Sequence, residues 1–157
     1  MDYDKLLIAT GGYPVKLPIP GADADNVHYL RTNEDQTQIR MEAVEAKDIV
    51  IIGSSFIGSE CAASLKAHYG DEKRVHLIGQ ENHPLENVLG PEVAEFMTDE
   101  HLTHGVCLYM GTRVQEIMKD EEGNVKSVKL ADNSEIPADL VIIGGGIEPS
   151  TSFLEAS

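Results

Sequence analysis

No apolar run in this 157-residue chain approaches the ~18 residues needed to cross a bilayer, so no membrane-spanning helix is expected. A basic leader is also lacking. Met1-Asp2-Tyr3-Asp4-Lys5 puts two acids ahead of the first apolar run, which is not the pattern of a signal or transit peptide. Positive charge is scarce: 12 Lys and Arg face 27 Asp and Glu, for a net charge of -15. That balance disfavours nucleic acid and anionic membranes as partners, since both reward Lys and Arg. It also means that an anionic cofactor would have to be held by local backbone dipoles against the overall field. Cysteine is scarce too. Cys61 and Cys107 form no C-x-x-C pair, so neither a zinc ribbon nor a redox dithiol is supported. Both read as small buried hydrophobes. They suit a reducing, intracellular setting and leave cytoplasmic and mitochondrial compartments open. There is no internal repeat, no low-complexity tract and no Ser-His-Asp arrangement. His101, His104 and Cys107 are close in sequence, but Gly105 ends the helix between them, and no metal site is assigned.

The remaining composition, 41% hydrophobic and 25% charged, is that of one ordinary globular domain. Lys5 to Thr10 reads as a buried strand stopped by Gly11-Gly12, and Val27 to Leu30 as a short one. Thr32 to Glu45 reads as a connector helix with a thin apolar face. Asp48 to Ile52 is a β-branched run of the kind found in a central parallel strand. A helix is expected from Phe56 to Tyr69 with Gly70 at its C-terminus, then a strand from Arg74 to Ile78. Pro91 to His104 reads as a helix with Val93, Phe96 and Met97 inward, followed by a strand from Val106 to Met110. Val114 to Lys119, Val125 to Leu130 and Ile136 sit around turn signals and read as an antiparallel meander. Leu140 to Ile143 is a final buried strand, stopped by Gly144-Gly145-Gly146. The order predicts an α/β fold of Rossmann type: a parallel sheet with helices, plus a three-stranded antiparallel meander.

The chemistry-bearing motif is Gly53-Ser54-Ser55-Phe56-Ile57-Gly58, between a strand and a helix. In a dinucleotide fingerprint the first glycine makes the tight turn and the last lets helix and strand pack closely. The middle position, where glycine lets a pyrophosphate approach the backbone, is Ser55. Its hydroxyl could donate to a phosphate oxygen, beside the free N–H groups of the helix start. An acid reading the adenine-side ribose is expected about twenty residues on, at the end of the second strand. That position is Gly79, so the acid is either missing or displaced to Glu81, beside Gln80. A solvated loop acid remains the alternative for Glu81. No arginine follows at once to bind a 2'-phosphate, which leans the reading toward NADH without excluding NADPH.

Beyond the glycine pattern, several segments in this order resemble the FAD-dependent pyridine nucleotide-disulfide oxidoreductases, nearest to the ferredoxin or rubredoxin reductase and apoptosis-inducing-factor-like group. Tyr3 to Gly11 looks like that family's A-T-G segment, where the chain leaves the flavin domain. Leu17-Pro18-Ile19-Pro20-Gly21 and Val27 to Thr32 follow as they do there. Val50 to Ala63 looks like the second fingerprint, and Asp139 to Pro149 like the segment returning to the flavin domain. The resemblance implies hydride transfer from NAD(P)H to FAD, then electron transfer to a small acceptor such as a ferredoxin or rubredoxin. It implies that Glu60, in F-I-G-x-E, approaches the nicotinamide, and that Gly144, Gly145 and Gly146 line that side of the pocket. Ala9, Thr10 and Gly11 would touch the flavin nucleotide in a complete protein.

On this reading residues 1–46 are a strand and linker continuing from an FAD domain, 47–147 the NAD(P)H-binding domain, and 148–157 the start of the return. The FAD fingerprint and the interface domain would lie outside the chain. A complete parent is expected to be an enzyme, whereas this chain alone would catalyse no full turnover. A non-enzymatic scaffold that kept the fold and lost the cofactor is the competing expectation, motivated by Ser55 and Gly79. A third keeps the fold but takes another adenine nucleotide.

Overall fold

The computed structural model describes residues 3–154. Five parallel strands form the central sheet in the order β2 (Val27–Tyr29), β9 (Leu140–Ile143), β3 (Asp48–Ile52), β4 (Arg74–Ile78) and β5 (Val106–Tyr109). Strands β3 and β9 are covered on both faces, which is why they read as unbroken apolar runs. Side chains alternate across the pleat. Val50, Ile52, Ile78, Val141 and Ile143 enter one core, and Ile49, Ile51, Val75, Leu77, Leu140 and Ile142 enter the other.

Helices cover the second core. The helix α1 (Asn33–Glu45) starts at a capping box, with Thr32 and Asp35 exchanging side-chain to backbone bonds. It buries only Ile39 and Ala43, as its thin apolar face requires. The helix α2 (Phe56–Tyr69) buries Gly58 and Ala62 against the sheet. Small residues there bring the helix axis close to the strands. Gly70, with φ +54°, ends it.

The meander of β6 (Val114–Lys119), β7 (Val125–Leu130) and β8 (Glu135–Pro137) closes the first core with Ile117, Val128, Leu130 and Ile136. A separate ribbon pairs β1 (Gly12–Pro14) with β10 (Ile147–Pro149) in antiparallel register. Glycine is needed at position 12 because a Cβ there would lie 2.6 Å from the carbonyl oxygen of Glu148.

Three expectations are corrected. Lys5 to Thr10 is not a buried strand: these residues are exposed and pair with no strand, and the first strand is β1. Their apolar run had suggested burial, but among the described residues no sheet edge receives it. The helix α4 (Pro91–Thr103), preceded by a short turn of helix α3 (Glu86–Leu89), does not face inward with Val93 and Phe96, which are exposed. Ala94 and His101 are buried instead, since a small side chain lets the helix approach the core. Cys61 and Cys107 are half-buried rather than fully so.

At the N-terminal end of the sheet, Asp48 is buried and accepts bonds from Arg74 Nε and from His76. The Arg74 guanidinium, with help from His76, holds the Asp48 carboxyl below its ordinary pKa, outweighing the cost of burial. This polar cluster lies at the sheet end opposite the glycine loops.

Candidate functional site

Because the sheet is parallel, the C-terminal ends of β3, β4 and β9 open on the same edge. The chain runs outward from β3 through β4 to β5 on one side, with β9 on the other. The crevice between β3 and β9 is thus the switch point at which ligands bind in such sheets. Three glycines make that crevice tight. A Cβ on Gly53 would lie 2.4 Å from the carbonyl oxygen of Gly144. One on Gly58 would lie 1.8 Å from the carbonyl oxygen of Gly53. Gly53 also holds φ +106°, a conformation that L side chains rarely adopt.

A cavity of about 560 Å³ opens over this edge. It brings together the predicted residues Gly53, Ser54, Ser55, Gln80, Glu81, Gly144, Gly145 and Gly146. Ser55 is the N-cap of α2, yet its hydroxyl makes no capping bond. The first intrahelical bond is from Ser59 N–H to Ser55 O, so the donors before it remain available. No acid stands in the first turn to repel an anion. Backbone approach, free N–H groups and an uncommitted hydroxyl together fit a pyrophosphate.

Glu81 stands in the loop three residues past the end of β4 and is the acid among the cavity-lining residues. Its carboxylate accepts a 2.8 Å bond from the Ser54 hydroxyl and a 2.8 Å bond from the Asn87 amide. It also borders a second, shallower cavity of about 450 Å³, walled by Gln80, Asn82, Glu86 and Asn87. Glu81 therefore lies where the two cavities meet.

Other predicted residues are placed elsewhere. Gly58 packs beneath the loop and acts through spacing, while Phe56 is exposed and does not line the cavity. Ile57 and Glu60 line a neighbouring groove of about 530 Å³ between α1 and α2, together with Arg40 and Cys61. Burial, and secondarily the charge of Glu60, push the Cys61 thiol up to about 11. Ala9, Thr10 and Gly11 sit at the ribbon, where the Thr10 hydroxyl donates to Ser150 O and Ser150 N–H donates to Gly11 O. His101 is buried with Nε2 unpartnered, and burial lowers its pKa; His104 caps the end of α4 through Glu100 O. Among the described residues no group of three His, Cys, Asp or Glu is placed to hold a metal ion.

The sequence reasoning missed two walls of the cavity. Leu17, Pro18 and Ile19 form one, with Leu17 packed on Gly145. Thr112, Arg113 and Val114 form the other. Arg113 is the one cation among the cavity-lining residues, it is exposed, and it makes no ion pair among the described residues. An arginine just before a strand carries no signal in sequence. Only the sheet order brings it beside the glycine loop.

A parallel sheet with a glycine-rich turn and a helix start at its switch point defines a dinucleotide-binding α/β domain. The comparisons with known proteins narrow this class. The chain belongs to the pyridine nucleotide-disulphide oxidoreductase family, whose model matches residues 1–157. It is 36% identical over 162 residues to putidaredoxin reductase of Pseudomonas putida, covering 100% of this chain and 37% of that protein. It is 35% identical over 160 residues to the peroxisomal monodehydroascorbate reductase 2 of Oryza sativa subsp. japonica, covering 99% of this chain and 33% of that one. Its structure is similar to that of a ferredoxin reductase from Rhodopseudomonas palustris, with a TM-score of 0.88 at 31% identity over 94% of this chain and 36% of that chain. The chain thus spans about a third of the length of these relatives.

Proposed function

We propose that the chain is the pyridine-nucleotide-binding part of an FAD-dependent NAD(P)H oxidoreductase that passes electrons to a small ferredoxin- or rubredoxin-like acceptor. The observation that carries this reading is the single cavity joining the fingerprint loop, Glu81 and the Gly144–Gly146 segment. Bound NAD(P)H supplies a hydride, and an FAD held by the rest of such a protein accepts it. Within this chain, Gly53 and Gly58 keep the loop low enough for a pyrophosphate. Ser55 and the first-turn N–H groups donate to it. Glu81 accepts from the adenine-side ribose. Gly144 to Gly146 leave room beside the loop for the nicotinamide half. Glu60, in the adjoining groove, is the carboxylate nearest in sequence to the fingerprint helix start and orients the carboxamide end.

NADH is the preferred donor. A carboxylate at the ribose accepts hydrogen bonds from its hydroxyls but repels a 2'-phosphate, and the adjoining cavity is walled by a second acid, Glu86, and by no cation. A water-forming NADH oxidase whose structure this chain resembles (TM-score 0.85, 25% identity) has an NADPH-using engineered form in which an aspartate was removed and two arginines were introduced. Acceptor choice follows relatives such as putidaredoxin reductase, solved in covalent complex with putidaredoxin. Calorimetric titration with NADH and NADPH tests the reading. Saturable binding with NADH tighter supports it, and no binding of either at millimolar ligand overturns it.

A further inference from the structure

Position 79 is where the fingerprint spacing puts the ribose-reading acid, and the structure shows why it holds glycine. Gly79 does not need left-handed backbone, since it is absent from the positive-φ residues. What it lacks is space. A Cβ at 79 would lie 2.2 Å from Ser54 Oγ, 2.7 Å from Ser54 Cβ and 2.6 Å from Met110 Cε. The Met110 methyl can swing away, but Ser54 is 2% exposed and held in the loop. The Ser54 side chain therefore occupies the volume that an acid at 79 would need. The same hydroxyl reaches out to Glu81, two residues further along.

We infer that Ser54 and Asn87 are positioning residues that hold Glu81 in the role vacated at position 79, and so set selection for an unphosphorylated ribose; this rests on the dinucleotide reading above. An ionised carboxylate offers about four acceptor sites. Ser54 takes one on Oε2 and Asn87 one on Oε1. One acceptor direction on each oxygen is left, a match for the two hydroxyls of a ribose. Held from both sides, the carboxylate cannot swing away from a 2'-phosphate, so the repulsion persists. Released, a glutamate with three rotatable bonds turns into solvent and the penalty fades. The two contacts come from different elements, the fingerprint loop and α3, so each can be removed separately.

The test uses the 157-residue chain and two probes, ADP-ribose and 2'-phospho-ADP-ribose, titrated by calorimetry. Ser54→Ala and Asn87→Ala are each expected to lower the preference for ADP-ribose about tenfold, the low end for the loss of one bond to a charged group. Ser54→Thr, which keeps the hydroxyl, should retain most of it. In a Glu81→Gln background, Ser54→Ala should change the ratio no further, because its effect runs through the carboxylate. Asn87 is exposed, so its variant folds even if the buried Ser54 site does not tolerate change. Replacing Ser54 by glycine, Gly79 by aspartate and Glu81 by glutamine together should restore the preference from position 79. Binding with an unchanged ratio in both single variants overturns this inference alone. Failure of the unsubstituted chain to bind either probe overturns the dinucleotide reading and this inference with it.

Discussion

Gly58→Ala adds a single methyl group and should disable the site. That methyl would lie 1.8 Å from the carbonyl oxygen of Gly53, 2.9 Å from its carbon and 3.3 Å from Ile51 Cγ2. Two of these three atoms are backbone of the same turn and cannot rotate away. To reach even a 3.0 Å contact, the start of α2 must withdraw from β3 by about 1.2 Å. Overpacking of this kind costs typically 1–3 kcal/mol, and a backbone obstacle puts Gly58→Ala at about 3 kcal/mol. For a domain of this size that lowers Tm by roughly 6–12 °C. The same displacement carries the first-turn N–H groups out of the ~2.7–3.2 Å range in which they bond a phosphate. Losing one such charge-assisted bond should weaken NADH binding roughly tenfold to hundredfold. Scanning calorimetry and NADH titration read the two effects. Gly70→Ala is the control, because Gly70 has nothing within 4 Å of its would-be Cβ and carries only the strain of φ +54°. With ψ at −130° as well, its backbone is nearly reserved for glycine, so it should lose about 1–3 kcal/mol yet bind NADH normally. A Gly58→Ala chain with unchanged Tm and unchanged affinity would refute the claim that this glycine sets the spacing.

Arg113→Gln removes the one cation lining the cavity. NADH binding should weaken about fivefold at low salt and the difference should shrink in about 1 M salt, as an exposed charge contact does; equal loss at both salts would argue against a charge role. Asp48→Asn should cost about 1–2 kcal/mol at neutral pH, since it breaks a buried carboxylate's bonds to Arg74 and His76 while Arg74 itself is largely exposed. The Asp48 pKa is lowered on folding, so its contribution is complete above the unfolded value of ~3.9 and is lost as pH falls through the folded value. Chemical denaturation of both chains should therefore show the gap closing in acid, and a gap that persists at the lowest pH would contradict the assignment. With Cys107 replaced by serine, Cys61 should alkylate on the order of a hundredfold more slowly than a free thiol at pH 8, because its thiol is pushed up to about 11. A reaction midpoint near ~8.5 would show an unperturbed thiol instead.

Much of the scaffold was legible because periodicity and glycine punctuation agreed. The bounds of β3, α2, β4, β6, β7 and β9 follow from β-branched runs ended by glycine or turn residues. The ribbon of β1 and β10 was not legible, because it pairs residues 12–14 with 147–149 and neither strand has a pattern of its own. Leu6, Leu7 and Ile8 misled for the opposite reason: an apolar run signals burial only where some surface receives it. In α4, Val93 and Phe96 outweighed Ala94 by hydrophobicity, yet the small residue is the one that packs. Within the site, the fingerprint and the glycine segment after β9 were visible as motifs. Glu81 was visible only as one alternative for an acid displaced from position 79. The Ser54 bond that fixes it depends on two loops meeting in space, and so does the placement of Arg113. Glu60 was read from resemblance, and the structure sets it in the groove beside the cavity.

The most direct test of the central claim is calorimetric titration of the 157-residue chain with NADH and NADPH under identical conditions. The cavity over β3 and β9, with Glu81 in its lining, predicts saturable one-to-one binding, and on the proposed reading, in which Glu81 meets the adenine-side ribose, NADH binds tighter. No saturable binding of either nucleotide at millimolar concentration would contradict it.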